Sequence, residues 1–284
     1  MSRPLEHRLP PLGDVIARYG LRSRKSLGQH FILDGNLTDR VVRAAGPLEN
    51  INVIEVGPGP GGLTRSLLSS AARRVIVIER DRRCIPALEE LAEIFPGRLE
   101  IVPTDALTVE LSSVCPPTRK LIANLPYNAA TRLLLKWLEK PTACRDMTLM
   151  FQREVAERLA ATPGGKSYGR LSVLTQWLCE VSLLFDVSPK AFTPPPKVLS
   201  TVVRLVPRPK PLFPAEKSIL ERVTGAAFGQ RRKMLRTSLR TFTEAPESLL
   251  SAAGVAGTAR AEELSIQKFC ALAEAAKDLT TAPA

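Results

Sequence analysis

Apolar residues fall into two alternating rhythms over the first half of the chain. Short, mostly apolar runs at 51–57, 75–78, 99–102, 121–123 and 147–151 read as buried strands. Between them the spacing turns helical. Leu37, Val41, Val42 and Ala45 make one apolar face that closes at Gly46-Pro47, and 63–68, 86–95, 131–138 and 154–160 continue the series. A further helix is predicted over 12–19. Strands alternating with helices predict an α/β fold with a doubly wound, mostly parallel sheet.

The second half changes character. A helix is predicted over 171–179, then strands over 181–187 and 198–206, joined by the stiff extended stretch Ala191-Phe-Thr-Pro-Pro-Pro-Lys197. Pro207, Pro209, Pro211 and Pro214 mark a linker, and the pattern beyond them is helical. Residues 1–207, with a basic arm over 1–30, are therefore expected to form the sheet domain, and 208–284 a smaller all-helical one. Residues 230–240 are expected to form a basic amphipathic helix with Met234, Leu235 and Leu239 on its apolar face. There is no internal repeat.

Charge adds a partner. The chain of 284 residues carries a formal +12, of which +4 lies in residues 1–30 and +7 in residues 208–240. Two basic flanks around a near-neutral body suit a polyanion, nucleic acid first and an anionic membrane second. Arg231, Arg232 and Lys233 are the candidate phosphate contacts. The five cysteines are scattered, with no C-x-x-C pair, and there are only two histidines, so neither a disulfide framework, a zinc site nor a His-rich metal centre is expected. No apolar run reaches the length of a membrane helix and no secretory signal is recognisable. Glu6, Asp14 and the Pro10-Pro11 pair argue against a transit peptide, and the chain reads as cytoplasmic.

The chemistry collects at strand ends. Gly57-Pro-Gly-Pro-Gly-Gly62 lies between a strand and a helix, where glycines let a backbone approach a ligand and the helix start adds favourable amides. Glu79 stands 22 positions after Gly57 at the end of the next strand, placed to accept from a ribose diol. Asp105, past the third strand, is placed to accept from an exocyclic amine. After the fourth strand comes Ile122-Ala-Asn-Leu-Pro-Tyr127. There the Asn124 oxygen and a proline-side carbonyl could hold a planar amine, with Pro126 stiffening the turn and Tyr127 stacking on the ring. Phe192, before the triple proline, is either a second stacking face or a packed loop aromatic. A glycine-loop crevice serves a nicotinamide or an adenosyl methyl donor equally well. The Asn124 loop favours the second, because methyl transfer to a ring-conjugated amine uses it and hydride transfer does not.

These stretches closely resemble the KsgA/RsmA family of ribosomal RNA adenine N6,N6-dimethyltransferases, nearly end to end. The carriers are Ser26-Leu-Gly-Gln-His-Phe-Ile-Leu-Asp34, Glu55-Val-Gly-Pro-Gly-Pro-Gly-Gly-Leu-Thr64, Val77-Ile-Glu79, Asp105-Ala106, Asn124-Leu-Pro-Tyr127, Gln152-Arg-Glu-Val155, Tyr168-Gly-Arg-Leu-Ser172, Ala191-Phe-Thr-Pro-Pro-Pro-Lys-Val198 and Gln230-Arg-Arg-Lys233. The resemblance implies a Rossmann-like methyltransferase sheet with a helical C-terminal domain. It implies S-adenosylmethionine as cofactor, contacted by His30, Ile32, Gly57, Glu79, Asp105 and Asn124. The substrate would be two adjacent adenosines in a hairpin near the 3′ end of small-subunit rRNA, within a pre-small ribosomal subunit, and the enzyme a monomer. The family often has Asn and Leu where His30 and Ile32 stand; the Pro- and Gly-rich loop resembles the mitochondrial branch and suggests a bacterium related to it. The competing readings are a DNA adenine methyltransferase, whose loop usually starts with Asp and carries Pro-Pro; a non-catalytic ribosome-assembly factor; and a nicotinamide dehydrogenase, which leaves the basic flanks and Tyr127 unexplained.

Overall fold

The apolar runs become strands of one seven-stranded sheet because parallel strands covered on both faces must be apolar throughout. The computed structural model describes residues 9–24 and 27–281; residues 1–8 of the expected basic arm, and Lys25 and Ser26 within it, lie outside the described residues. The strands are β1 (Phe31–Ile32), β2 (Asn52–Val56), β3 (Arg74–Ile78), β4 (Leu99–Val102), β5 (Arg119–Asn124), β6 (Met147–Gln152), β7 (Cys179–Val187), β8 (Phe192–Thr193) and β9 (Ser200–Pro207). The large sheet has the order β4-β3-β2-β5-β6-β9-β7, and β1 and β8 pair antiparallel in a separate ribbon. Strands β2 to β6 run parallel, and β9 lies antiparallel to β6.

Helices α1 (Leu12–Arg18), α2 (Gly35–Ala44), α3 (Gly62–Leu68), α4 (Ile85–Ile94), α5 (Leu111–Val114), α6 (Ala130–Trp137) and α7 (Arg153–Ala160) connect and flank these strands. Asp34 starts α2 by accepting from the Asn36 amide, and Leu63, Leu67 and Leu68 of α3 enter the main core with Val53, Val75 and Val77. Helix α3 leaves β2 toward β3 on one side, whereas β5 pairs on the other side of β2. The connections diverge there, so the carboxyl edge opens into a crevice between the loops, the usual ligand position in such sheets.

The chain divides into two compact units. One holds the residues up to Ala156 together with Ser182–Pro207; the other holds Glu157–Val181 and the residues from Arg208 onward. The sequence boundary at 207 had left 157–181 with the sheet domain. Backbone polarity explains the grouping: the Arg208 and Leu212 amides donate to the Leu178 and Trp177 carbonyls, both at 2.8 Å, and the Trp177 indole donates to the Phe213 carbonyl at 2.7 Å. The proline linker is thereby strapped to helix α8 (Arg170–Leu178). The second unit adds α9 (Lys217–Gly229), α10 (Leu235–Ser238), α11 (Pro246–Ala252) and α12 (Ile266–Thr281). In its core Phe228 meets Tyr168 edge-on at 5.9 Å and Phe269 at 5.3 Å with the rings tilted by 32°.

The amphipathic helix expected over 230–240 does not form. Helix α9 stops at Gly229, Met234 is extended and bridges Arg260, and only Leu235–Ser238 is α-helical before a 3-10 turn. The amides of Leu235 and Arg236 are taken by the carbonyls of Ala259 and Gly257, at 2.8 and 3.1 Å, which removes them from any continuous helix. Leu235 and Leu239 are buried as expected, whereas Met234 is exposed.

Candidate active site

Strand β2 must turn sharply to reach α3, and Gly57 makes that turn at φ +70°, which an L side chain rarely adopts. Its amide donates to the Ile78 carbonyl at 2.9 Å, pinning the glycine loop to the end of β3. Gly62 answers a different demand. A Cβ there would lie 2.6 Å from the Ile32 carbonyl oxygen, so ribbon β1 can rest on the start of α3 only over a glycine.

Glu79 follows β3 and is almost fully buried. Its two carboxylate oxygens accept from the Gly59 amide at 3.0 Å and the Asp81 amide at 2.7 Å. Burial raises its pKa above the usual carboxylate range, against the lowering pull of those backbone donors. Asp105, after β4, accepts from the Leu107 amide at 2.9 Å and from the Arg80 guanidinium at 3.2 Å, and remains partly exposed.

Asn124 is the last residue of β5. Its amide nitrogen donates to the His30 carbonyl at 3.1 Å, which orients the group; among the described residues no hydrogen bond engages its oxygen. The Tyr127 hydroxyl meets that of Ser200 at 2.5 Å, and burial raises the phenol's pKa. The His30 ring lies 5.2 Å from the Tyr127 ring, tilted by 31°. Its Nδ1 is 2.7 Å from the Pro194 carbonyl oxygen, an acceptor, so Nδ1 carries the proton. The Pro126 carbonyl accepts from the Ala129 and Ala130 amides, both at 2.9 Å, and so opens α6. That carbonyl is engaged in the fold rather than left for an incoming amine.

One open cleft of about 990 Å³ is lined by His30, Ile32, Gly57, Glu79, Asp105, Asn124, Pro126 and Tyr127. The strand pattern brought Gly57, Glu79, Asp105 and the Asn124 loop to one sheet edge, the family resemblance added His30 and Ile32, and all of them share one cavity. Phe192 does not join them. Its strand β8 pairs with β1, with Phe192 opposite Ile32, and the ring is buried in the main core, only 2% exposed. Of its two readings, the packed aromatic is the one the structure has; the ring still meets His30 edge-on at 6.4 Å. Arg231, Arg232 and Lys233 belong to the second unit. There Arg231 is tied to Glu262 at 2.6 Å and to the Gly165 carbonyl at 3.2 Å, while Arg232 and Lys233 are exposed.

Glu55 was missed as a site residue. It lines the cleft from β2, is 1% exposed, and accepts from the Thr64 hydroxyl at 2.7 Å. Burial pushes its pKa up to about 8. An acid inside an otherwise apolar strand run was the available signal. Gln29 and Arg80 also line the cleft, and only their adjacency to His30 and Glu79 marked them.

A sequence model of the family described as "Ribosomal RNA adenine dimethylase" matches residues 20–278. This chain belongs to the ribosomal RNA adenine dimethylase family. "Ribosomal RNA small subunit methyltransferase A" of Rhodospirillum rubrum is 60% identical over 267 residues, 94% of this chain and 92% of that protein. The protein of the same description from Ruegeria sp. is 54% identical, covering 93% and 96%. Among solved structures, the 23S rRNA methyltransferase ErmE is 28% identical with a TM-score of 0.64, over 86% of this chain and 98% of that one. A dimethyladenosine transferase from Plasmodium falciparum, 24% identical, shares the fold with a TM-score of 0.72 over 86% and 96%.

As a member of this family the chain is an rRNA adenine methyltransferase, and its methyl donor is S-adenosylmethionine. Its relatives identify it as bacterial and of alphaproteobacterial type. Among the described residues no helix is long and apolar enough to cross a membrane, and no group of three or more His, Cys, Asp or Glu is arranged to hold a metal ion.

Proposed function

We propose that this enzyme dimethylates the N6 amines of two adjacent adenosines in a hairpin near the 3′ end of small-subunit rRNA, bound as part of a pre-small ribosomal subunit. The observation that carries the residue assignments is the Asn124 amide, fixed through its nitrogen in the wall of the cleft that Glu79 and Asp105 also line. The small-subunit substrate is supported by the descriptions of the bacterial relatives.

The cleft fits an adenosyl donor. Glu79 would accept from the ribose diol with the lone pairs its two backbone donors leave unused, and Asp105 from the adenine amine. Gly57 and Ile32 would give close backbone and apolar contact, and His30 would close the wall beside Tyr127. When bound, S-adenosylmethionine supplies an electrophilic methyl group on sulfonium.

At the acceptor end the residues work on a poor nucleophile. The lone pair of an adenine amine is delocalised into the ring. Accepting its hydrogens at Asn124 Oδ1 and at the carbonyl preceding Pro126 would localise that pair on nitrogen. Tyr127, held by Ser200, supplies a face on which a base taken out of its stack can rest. The rate then comes from position and fixed dipoles rather than from a strong base. Phe192 contributes from behind, as packing under His30.

We read the second unit as the rRNA grip, with Arg232 and Lys233 as exposed cations. Five unpaired, buried cysteines support a reducing compartment, and hence the cytoplasm. The test is labelled S-adenosylmethionine with small subunits lacking these methyl groups, followed by mapping of the label. Dimethyladenosine at two adjacent positions near the 3′ end is the expected result. Label elsewhere would replace the substrate assignment, and tight subunit binding without transfer would favour an assembly factor.

A further inference from the structure

Asp81 lies outside the cleft, yet it links the cleft's two ends. Its backbone amide donates to Glu79 at 2.7 Å. Its side chain, 4% exposed, accepts from the Gln29 amide nitrogen at 2.9 Å and from the Arg83 guanidinium at 2.9 and 2.6 Å. Burial opposes ionisation of this carboxyl, but the donors from Arg83 and Gln29 outweigh it and hold its pKa below the usual range. Gln29 is fixed at its other end too, its oxygen accepting from the Arg24 amide at 3.0 Å.

The residue after Gln29 is His30, whose carbonyl receives the Asn124 amide and whose ring is tethered to Pro194. The segment also sits tightly on the acceptor loop: a Cβ at Gly28 would lie 2.7 Å from Asn128 Oδ1. A carboxylate needed only to start the short helical turn after Asp81 would use one oxygen, on the Arg83 amide. Here the second oxygen takes the Arg83 guanidinium at 2.6 Å and also grips a residue 52 positions away.

We propose that Asp81 and Gln29 are positioning residues for methyl transfer: through His30 they hold the Asn124 amide in the orientation that presents its oxygen to the acceptor amine, and they tie that orientation to Glu79. This rests on the reading of Asn124 as the amine's acceptor. The network makes transfer sensitive to residues that touch neither the reacting amine nor the methyl group.

The test uses the full chain, as wild type, Asn124→Ala, Gln29→Glu and the exchanged pair Gln29→Glu/Asp81→Asn. Single-turnover methylation of unmethylated small subunits is followed at saturating S-adenosylmethionine, beside cofactor affinity and thermal midpoint. Gln29→Glu sets one carboxylate against another. The transfer rate at saturation should fall roughly tenfold or more, because small misplacements of a positioning group cost that much. Cofactor affinity should change little, and because the repulsion also lowers the thermal midpoint, rates are compared per folded molecule well below it. In the exchanged pair the new amide at position 81 can donate to the new carboxylate at position 29, and most of the rate should return, which a merely destabilising change would not produce. An unchanged rate in Gln29→Glu, a loss that disappears at saturating cofactor, or no recovery in the exchanged pair would overturn the positioning role. If wild type transfers no methyl, or Asn124→Ala transfers normally, the functional reading falls first and the positioning role falls with it.

Discussion

The Thr64 hydroxyl donates to the Glu55 carboxyl at 2.7 Å, joining the first turn of α3 to strand β2 beneath the glycine loop. The contact is buried, and it is the one hydrogen bond found for this carboxyl among the described residues. A carboxyl so desolvated keeps its proton up to about pH 8.

That proton has a consequence for stability. An unfolded glutamate ionises near pH 4.3, whereas the folded Glu55 holds its proton to about 8. Between those values the unfolded state sheds a proton that the folded state keeps. The contribution is therefore fully present below the lower value and is lost as pH rises through the upper one. Glu55→Gln cannot ionise and still accepts from Thr64. Urea unfolding at about pH 5 and about pH 8 should show wild type losing stability relative to the variant at the higher pH. Parallel curves would mean that the carboxyl is already ionised in the folded chain.

Asn124→Ala removes the oxygen offered to the amine while leaving Glu79 and Asp105 in place. Turnover should fall by about 10²–10³, the usual loss for a preorganised polar group. S-adenosylmethionine binding, measured by calorimetry, should be only partly weakened. Normal turnover would exclude the acceptor role.

The basic cluster at 231–233 divides into two kinds of cation. Arg232→Glu with Lys233→Glu should weaken rRNA binding and flatten its salt dependence by about 0.9 per lost phosphate contact, with cofactor affinity unchanged. Arg231→Glu should behave differently, because it places like charge against Glu262 and loses the Gly165 contact. Its main effect should be a lowered melting temperature. Equal loss of rRNA binding in both sets, at unchanged stability, would instead make Arg231 a phosphate ligand.

Lys120 is the second residue of β5, at the end away from Asn124, buried with Asp146 at 3.2 Å and donating to the Ala45 carbonyl at 2.6 Å. Among the described residues Lys120→Met leaves the Asp146 carboxylate paired with Arg204 alone, and it should cost about 3–5 kcal/mol of unfolding free energy. Methyl transfer per folded molecule should be unchanged. A specific loss of transfer would tie the two ends of the strand together functionally.

The sequence made legible the order of strands and helices from β2 to β6, α5 excepted, because each short apolar run has to be covered on both faces and each amphipathic stretch has one face to cover it; the ribbon strand β1 was not read from it. It also determined that Gly57, Glu79, Asp105 and Asn124 share an edge, since parallel strands put all their carboxyl ends on one side. Tertiary structure alone decided the rest. Phe192 faces the core because β8 pairs with β1, a partner 160 residues away in the register Phe192 to Ile32. The 230–240 helix is broken because the carbonyls of Gly257 and Ala259 come within reach of its amides. Arg231 is spoken for by Glu262, the Pro126 carbonyl by α6, and 157–181 by the linker that returns after β9. Periodicity reports which face of a segment is apolar; it carries no information about which distant polar group will arrive to satisfy a hydrogen bond.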